Sequence, residues 1–64
     1  MNVFRIYKND EVIAGPYASR EGACTECLLR EGDKVVERDV AGNDVAEISR
    51  EQCDTILRGF RYPH

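Results

Sequence analysis

Two of the three cysteines, Cys24 and Cys27, have the C-x-x-C spacing that is found in many metal and redox sites. Thiolates are preferred zinc ligands, and a closed Cys3His site could be completed by Cys53 and the single histidine, His64. A structural metal would also stabilise a chain of 64 residues, which is short for a large hydrophobic core. A zinc-stabilised domain that uses these four residues is therefore one hypothesis.

The same cysteines also fit the apolar faces of two helices. At about 3.6 residues per turn, Ala23, Cys24, Cys27 and Leu28 fall on one stripe, and Cys53 begins a similar stripe later in the chain. Free cysteine is commonly buried and behaves as a small hydrophobic residue. A redox C-x-x-C would instead stand at a helix N-terminus, where the thiol pKa is lowered. We therefore interpret all three cysteines as core residues and predict no cofactor.

The sequence offers little for catalysis. A nucleophile needs a positioned base, and the only histidine is the last residue of the chain. Neither a G-x-S-x-G motif nor a phosphate-binding loop is present. Glu37 and Asp39 would share one face of a strand, which is typical of a solvated edge. The sequence therefore predicts a non-enzymatic protein.

Alternating apolar and polar residues predict four strands in two hairpins. "VFRIYK" places Phe4 and Ile6 on one face, and "EVIAG" follows a tight turn at 9–10. We expect Gly15-Pro16 to end this second strand. "KVVERDV" and "DVAEI" repeat the pattern around a turn at 42–43.

Each hairpin precedes a predicted helix. Ser19 and Ser49 are suited to be N-caps, and Ser49 with Gln52 fits the capping-box pattern. Gly32 and Gly59 are the expected helix ends. The order is therefore ββαββα.

This order predicts one compact α+β domain over residues 1–64, with a small antiparallel sheet and two helices packed on one of its faces. Ser-Arg-Glu occurs at both 19–21 and 49–51, one ββα unit apart. Duplication of a ββα unit is therefore one explanation of the sequence, and chance similarity between two helix starts is the other.

Composition narrows the functional classes. Twelve acidic and nine basic side chains give a net charge of −3, which disfavours direct binding of nucleic acid. No apolar run is long enough to span a membrane, and Arg5 interrupts any secretory signal. Three cysteines also suit a reducing compartment. We expect a cytoplasmic protein.

Some apolar, aromatic and arginine residues lie outside the predicted core, and they predict a protein partner. The tail, residues 58–64, combines Arg58 and Arg61 with aromatic residues and has no acid, a composition typical of interface anchors. Leu29 falls opposite the apolar stripe of the first helix, and two tyrosines flank the first hairpin. The candidate partner-binding residues are Tyr7, Tyr17, Leu29, Arg58, Arg61 and Tyr62.

Five acidic residues in the first half of the chain are interpreted as one acidic face, which predicts attraction to a basic partner. They are Asp10, Glu11, Glu21, Glu26 and Glu31. The predicted function is an accessory or inhibitor protein, of the kind found in phages and mobile elements, that covers a nucleic-acid-handling protein. The alternatives are the zinc-stabilised domain and a nucleic-acid binder that uses the Arg/Tyr tail. Pairing of an exposed strand edge with a second copy would give a homodimer.

Overall fold

The computed structural model describes the backbone of residues 1–61 and the side chains of residues 1–59. The elements are β1 (Val3–Lys8), β2 (Glu11–Tyr17), α1 (Arg20–Leu29), β3 (Lys34–Arg38), β4 (Asp44–Ser49) and α2 (Arg50–Arg61). All neighbouring strands are antiparallel, in the order β2-β1-β3-β4. The predicted α+β fold and its ββαββα order are confirmed.

The core lies between the helices and one face of the sheet. Alternate residues of β1 and β3 point into it because successive side chains of a strand face opposite ways. Burying a large apolar side chain contributes about 1.5–3 kcal/mol, so a few such residues account for much of the stability of a small domain. The buried cluster consists of Phe4, Ile6, Ala23, Cys24, Cys27, Val35, Ile48 and Cys53.

The arrangement has an internal pseudo-twofold symmetry. The first strands of the two ββα units, β1 and β3, form the central antiparallel pair, and the second strands, β2 and β4, form the two edges. The two helices pack against each other beneath the sheet. A duplicated ββα unit would produce this symmetry.

The first hairpin turns where the sequence predicts it. Asn9 and Asp10 have φ values of 52° and 64°, the left-handed conformation that short polar residues tolerate in a two-residue hairpin. The expected end of β2 at Gly15-Pro16 is wrong, since β2 continues to Tyr17. Pro16 is tolerated because β2 is an edge strand, where a missing backbone donor removes no bond to a further strand.

Both predicted N-caps are confirmed. The backbone N–H of Gly22 donates to Ser19 Oγ at 3.0 Å. At the second helix, the N–H of Gln52 donates to Ser49 Oγ at 3.1 Å, and the N–H of Ser49 donates to Gln52 Oε1 at 2.9 Å. This reciprocal pair is a complete capping box.

The α1 C-terminus is close to its predicted position but uses a different residue. The N–H of Gly32 donates to the Cys27 carbonyl at 2.8 Å, and that of Glu31 to the Leu28 carbonyl at 3.3 Å, which is a Schellman motif. The left-handed residue is Glu31, with φ 55°. Gly32 is required for space instead, because a Cβ there would lie 2.5 Å from Ile6 Cγ2.

The expected end of α2 at Gly59 is wrong. The helix continues through Gly59 to Arg61, so the first residues of the predicted tail form its last turn. Glycine inside a helix costs about 0.5–1 kcal/mol relative to alanine, which packing elsewhere on the helix offsets. Residues 62–64, with Tyr62 and His64, lie outside the described part of the chain.

The third strand also ends earlier than "KVVERDV" suggests, because Asp39 organises the following turn. Its Oδ1 accepts hydrogen bonds from the N–H groups of Asn43 and Ala41, both at 2.9 Å. The bonds from Asn43 and from the neighbouring turn N–H groups lower the Asp39 pKa. Asp39 therefore has a structural role, and Glu37 separately accepts a bond from Asn2 Nδ2 at 2.7 Å.

Candidate protein-binding surfaces

The three cysteines meet in the core between α1 and α2. All three are fully buried, which confirms them as core residues. The thiols of Cys24 and Cys27 both interact with that of Cys53. Burial raises the pKa of Cys27 and of Cys53, so both thiols are held in the protonated form.

Protonated, buried thiols are poor nucleophiles. Within residues 1–61, no group of three or more His, Cys, Asp or Glu side chains is arranged to hold a metal ion. The fourth ligand of the zinc hypothesis, His64, lies outside the described residues.

Those predicted partner-binding residues whose side chains are described lie on different parts of the surface. Tyr7 lies on the sheet face that carries no helix, with Lys34 Nζ 5.8 Å from its ring centroid. Tyr17 lies on the opposite face, where it packs against the core and interacts with Arg30 of α1. Leu29, at the end of α1, is 73% exposed and separate from both faces.

Arg58 lies on the exposed side of α2, where its Nε is 3.0 Å from Asp54 Oδ2. This ion pair offsets part of the positive charge expected for the tail. The side chains of Arg61 and Tyr62 lie outside the described residues. The described part of the tail therefore does not form an uncompensated basic surface for nucleic acid.

One face of the sheet has no described helix packed on it, and we call it the open sheet face. Val36 lies there and is only 4% exposed, yet it is not part of the helix-side core. Arg5, its partner on β1, has a buried Nη1 without a hydrogen-bond partner among the described residues. The strand register places these residues on the open sheet face: Val3, Arg5, Tyr7, Val12, Lys34, Val36, Arg38, Asp44 and Glu47.

Charges on the open sheet face largely cancel between β3 and β4. Lys34 Nζ is 3.5 Å from Glu47 Oε1, and Arg38 Nε is 3.0 Å from Asp44 Oδ1. Such exposed pairs contribute little stability, about 0–1 kcal/mol each. They do make the net charge of the open sheet face nearly zero along β3 and β4.

Asp33 joins three segments at one end of the domain. Its Oδ2 accepts a hydrogen bond from the N–H of Asn9 at 2.8 Å, which fixes the β1–β2 turn. Its own N–H donates to the Tyr7 carbonyl at 2.8 Å, and its carbonyl accepts from the N–H of Arg50 at 3.2 Å. The first hairpin, the α1–β3 loop and the start of α2 therefore converge on this residue.

Four other carboxylates lie in or beside the segments that Asp33 connects, and we call them the acidic rim: Asp10, Glu11, Glu31 and Glu51. Asp10 follows Asn9 in the turn, Glu11 begins β2, and Glu31 precedes Asp33 in its loop. Glu51 lines a surface groove together with Asp33 and Arg50. All four are exposed, and none has an ion-pair partner among the described residues.

The sequence hypothesis of one acidic face is only partly reproduced. Asp10, Glu11 and Glu31 belong to the acidic rim, but Glu21 lies in the first turn of α1, at the other end of that helix from Glu31. Glu26 is 3.0 Å from Arg30 Nε in an ion pair. Glu51 was not predicted from the sequence as part of an acidic surface. Its position two residues after the capping Ser49 was the only indication that it lies at the start of α2.

Comparison with known protein families, curated proteins and solved structures gives no significant match. Within the described residues, no helix has the length and apolar character needed to cross a membrane. The class that the structure defines is a small α+β domain with one open sheet face.

Proposed function

We propose that this protein is a small, non-enzymatic cytoplasmic binding protein that covers a basic surface of a partner protein. The observation that carries the proposal is the acidic rim. The four rim carboxylates have no ion-pair partner among the described residues, so a basic partner would pair with them and be attracted from a distance. The contact carboxylates would be Asp10, Glu11, Glu31 and Glu51.

A nucleic-acid-binding protein is the class of partner that we propose. Its binding surface is basic because it neutralises phosphates. A rim of carboxylates on a rigid domain presents negative charges to the same surface, so the two ligands would compete. The protein would thereby act as an inhibitor or accessory factor. Hydrogen bonds through Asp33 support this role, because they hold the three segments of the rim in a fixed arrangement.

The test compares two variants of equal charge in a capture experiment from nuclease-treated host lysate. Glu31→Gln/Glu51→Gln removes two charges from the rim, and Glu21→Gln/Glu26→Gln removes two charges elsewhere. The wild type and the second variant are expected to retain the same stoichiometric partner, identified by mass spectrometry. The rim variant is expected to lose it.

The purified partner then gives the decisive measurement. Its affinity for nucleic acid, measured by fluorescence anisotropy, is expected to fall when the wild-type protein is added and to be unaffected by the rim variant. Equal retention of the partner by both double variants would contradict the role of the rim. Unchanged nucleic-acid binding in the presence of a captured partner would contradict the inhibitor role.

A further inference from the structure

Arg5 lies in the middle of the open sheet face and differs from the other cations there. Lys34 and Arg38 each form an ion pair with a carboxylate of β4. Arg5 has no ion pair within the part of the chain that the structure describes, and its Nη1 is buried without a hydrogen-bond partner there. A buried cationic N–H group without an acceptor costs free energy that a bonded acceptor would recover. Arg5 is therefore a cation whose counter-charge the described residues do not supply.

The sheet surface holds the Arg5 side chain down. Its stem passes beside Gly15 of β2, where a Cβ would lie 3.3 Å from Arg5 Cγ. On its other side is Val36 of β3, which is directly opposite Arg5 and only 4% exposed. Arg5 as a whole is half-buried, so part of it remains open to a ligand. Because Nη1 has no acceptor among the described residues, the guanidinium can turn toward such a ligand without breaking a bond of that nitrogen.

Apolar surface lies around this cation on the open sheet face. Val3 and Tyr7 are the neighbours of Arg5 on the same face of β1, and both are half-buried. Val12 of β2, which pairs with Tyr7, is 49% exposed. A ligand that covers these side chains would exclude water, and an ion pair is stronger where water is excluded. The face therefore suits a ligand that combines one negative charge with apolar groups.

We propose that the open sheet face binds a segment of a partner protein in which an aspartate or glutamate lies beside apolar or aromatic residues. The carboxylate would pair with the Arg5 guanidinium in the bidentate geometry that arginine favours, and Nη1 would gain an acceptor. A nucleic acid fits less well, because it needs several free cations and the other two cations of this face are paired. The open sheet face shares no residue with the acidic rim, so this binding goes beyond the proposed function.

Selection from a library of random peptides displayed on phage, against the immobilised chain, tests this binding. The enriched peptides are expected to share an aspartate or glutamate next to an apolar or aromatic residue. Fluorescence anisotropy with a labelled consensus peptide should then show binding weakened about tenfold or more by Arg5→Gln, and similarly by replacing the peptide's acid with its amide. The two changes together should weaken binding little further, because both remove the same ion pair. Arg20→Gln is the matched control, since Arg20 is exposed and also has no ion pair among the described residues. It should bind the peptide as the wild type does.

Several results would overturn the inference. Selection that enriches no peptide, or only peptides without an acid, leaves Arg5 without the proposed ligand. Equal binding by the wild type and Arg5→Gln, or additive effects of the two changes, places the acid elsewhere. A labelled single-stranded oligonucleotide that binds the wild type but not Arg5→Gln would assign the face to nucleic acid instead.

Two further measurements keep these results interpretable. Circular dichroism shows whether Arg5→Gln is folded, and the amide form of the peptide gives a readout on the wild type alone. Glu31→Gln/Glu51→Gln is expected to bind the peptide as the wild type does. Failure of peptide binding and failure of the proposed binding by the acidic rim are therefore read from separate experiments.

Discussion

Asp33 and Arg50 are joined both through the backbone and through their side chains. The N–H of Arg50 donates to the Asp33 carbonyl at 3.2 Å, and Arg50 Nη2 lies 3.5 Å from Asp33 Oδ1. The other carboxylate oxygen of Asp33 accepts from the N–H of Asn9. One carboxylate thus connects the start of α2 to the first hairpin turn.

Replacing this carboxylate should loosen the end of the domain that carries the acidic rim. Asp33→Ala removes the bond to Asn9 and the ion pair to Arg50, and we expect a loss of about 1 kcal/mol in the free energy of unfolding. Asp44→Ala, which removes one exposed ion pair, should cost less. Urea titration followed by circular dichroism measures both, and equal losses would show that Asp33 contributes only a surface charge pair.

Two glycines should respond in opposite directions to alanine. Gly32→Ala places a Cβ 2.5 Å from Ile6 Cγ2 and 3.0 Å from Cys27 Sγ, so we expect a loss of about 2 kcal/mol or more from overpacking. Gly59→Ala meets no atom within 4 Å and should stabilise α2 by about 0.5–1 kcal/mol. Thermal unfolding of the two variants measures the contrast. A stable Gly32→Ala protein would contradict the close packing of the α1–β3 loop on β1.

The buried thiols predict a stability that falls at high pH. Burial raises the folded-state pKa of Cys27 and Cys53 above the ordinary thiol value of 9.0. The folded state therefore keeps protons that the unfolded chain releases, and stability is fully present below about pH 9 and declines above it. The slope approaches about 1.4 kcal/mol per pH unit for each such thiol.

Urea unfolding at pH 7, 9 and 10 measures this slope. Cys53→Ala should show a shallower decline than the wild type, because one of the protected thiols is absent. The two proteins differ only at residue 53, so the comparison isolates the thiol. Equal declines in the two proteins would contradict a proton-retaining role for Cys53.

Chelation distinguishes the core interpretation of the cysteines from the zinc hypothesis. We expect a strong chelator to leave the unfolding midpoint unchanged, because protonated thiols in an apolar core need no metal. A structural zinc ion would instead contribute folding free energy directly, and its removal would unfold the domain. Metal analysis of the purified protein by mass spectrometry gives an independent readout.

Most of the local structure could be predicted from short-range signals. The alternation around Phe4 and Ile6, the turn at 9–10 and the Ser49–Gln52 capping box all depend on residues close together in the chain, and all three are confirmed. The burial of the cysteines followed in the same way from helical periodicity.

Some predicted strand and helix ends were wrong, and local sequence preference did not determine them. Pro16 lies within β2 because that strand is an edge, a fact that depends on sheet order. Gly59 does not end α2, which continues to Arg61. At Gly32, the need for glycine comes from Ile6, a residue of a different element.

The sequence by itself determined the number and type of the elements, the net negative charge and the core role of the cysteines. Only the tertiary structure decided which exposed tyrosines and carboxylates lie on the same surface. It places Tyr7 and Tyr17 on opposite faces of the sheet and puts Glu51 in one groove with Asp33. The physical reason is that strand order and the contacts of Asp33 are long-range, so no local pattern in the chain specifies them.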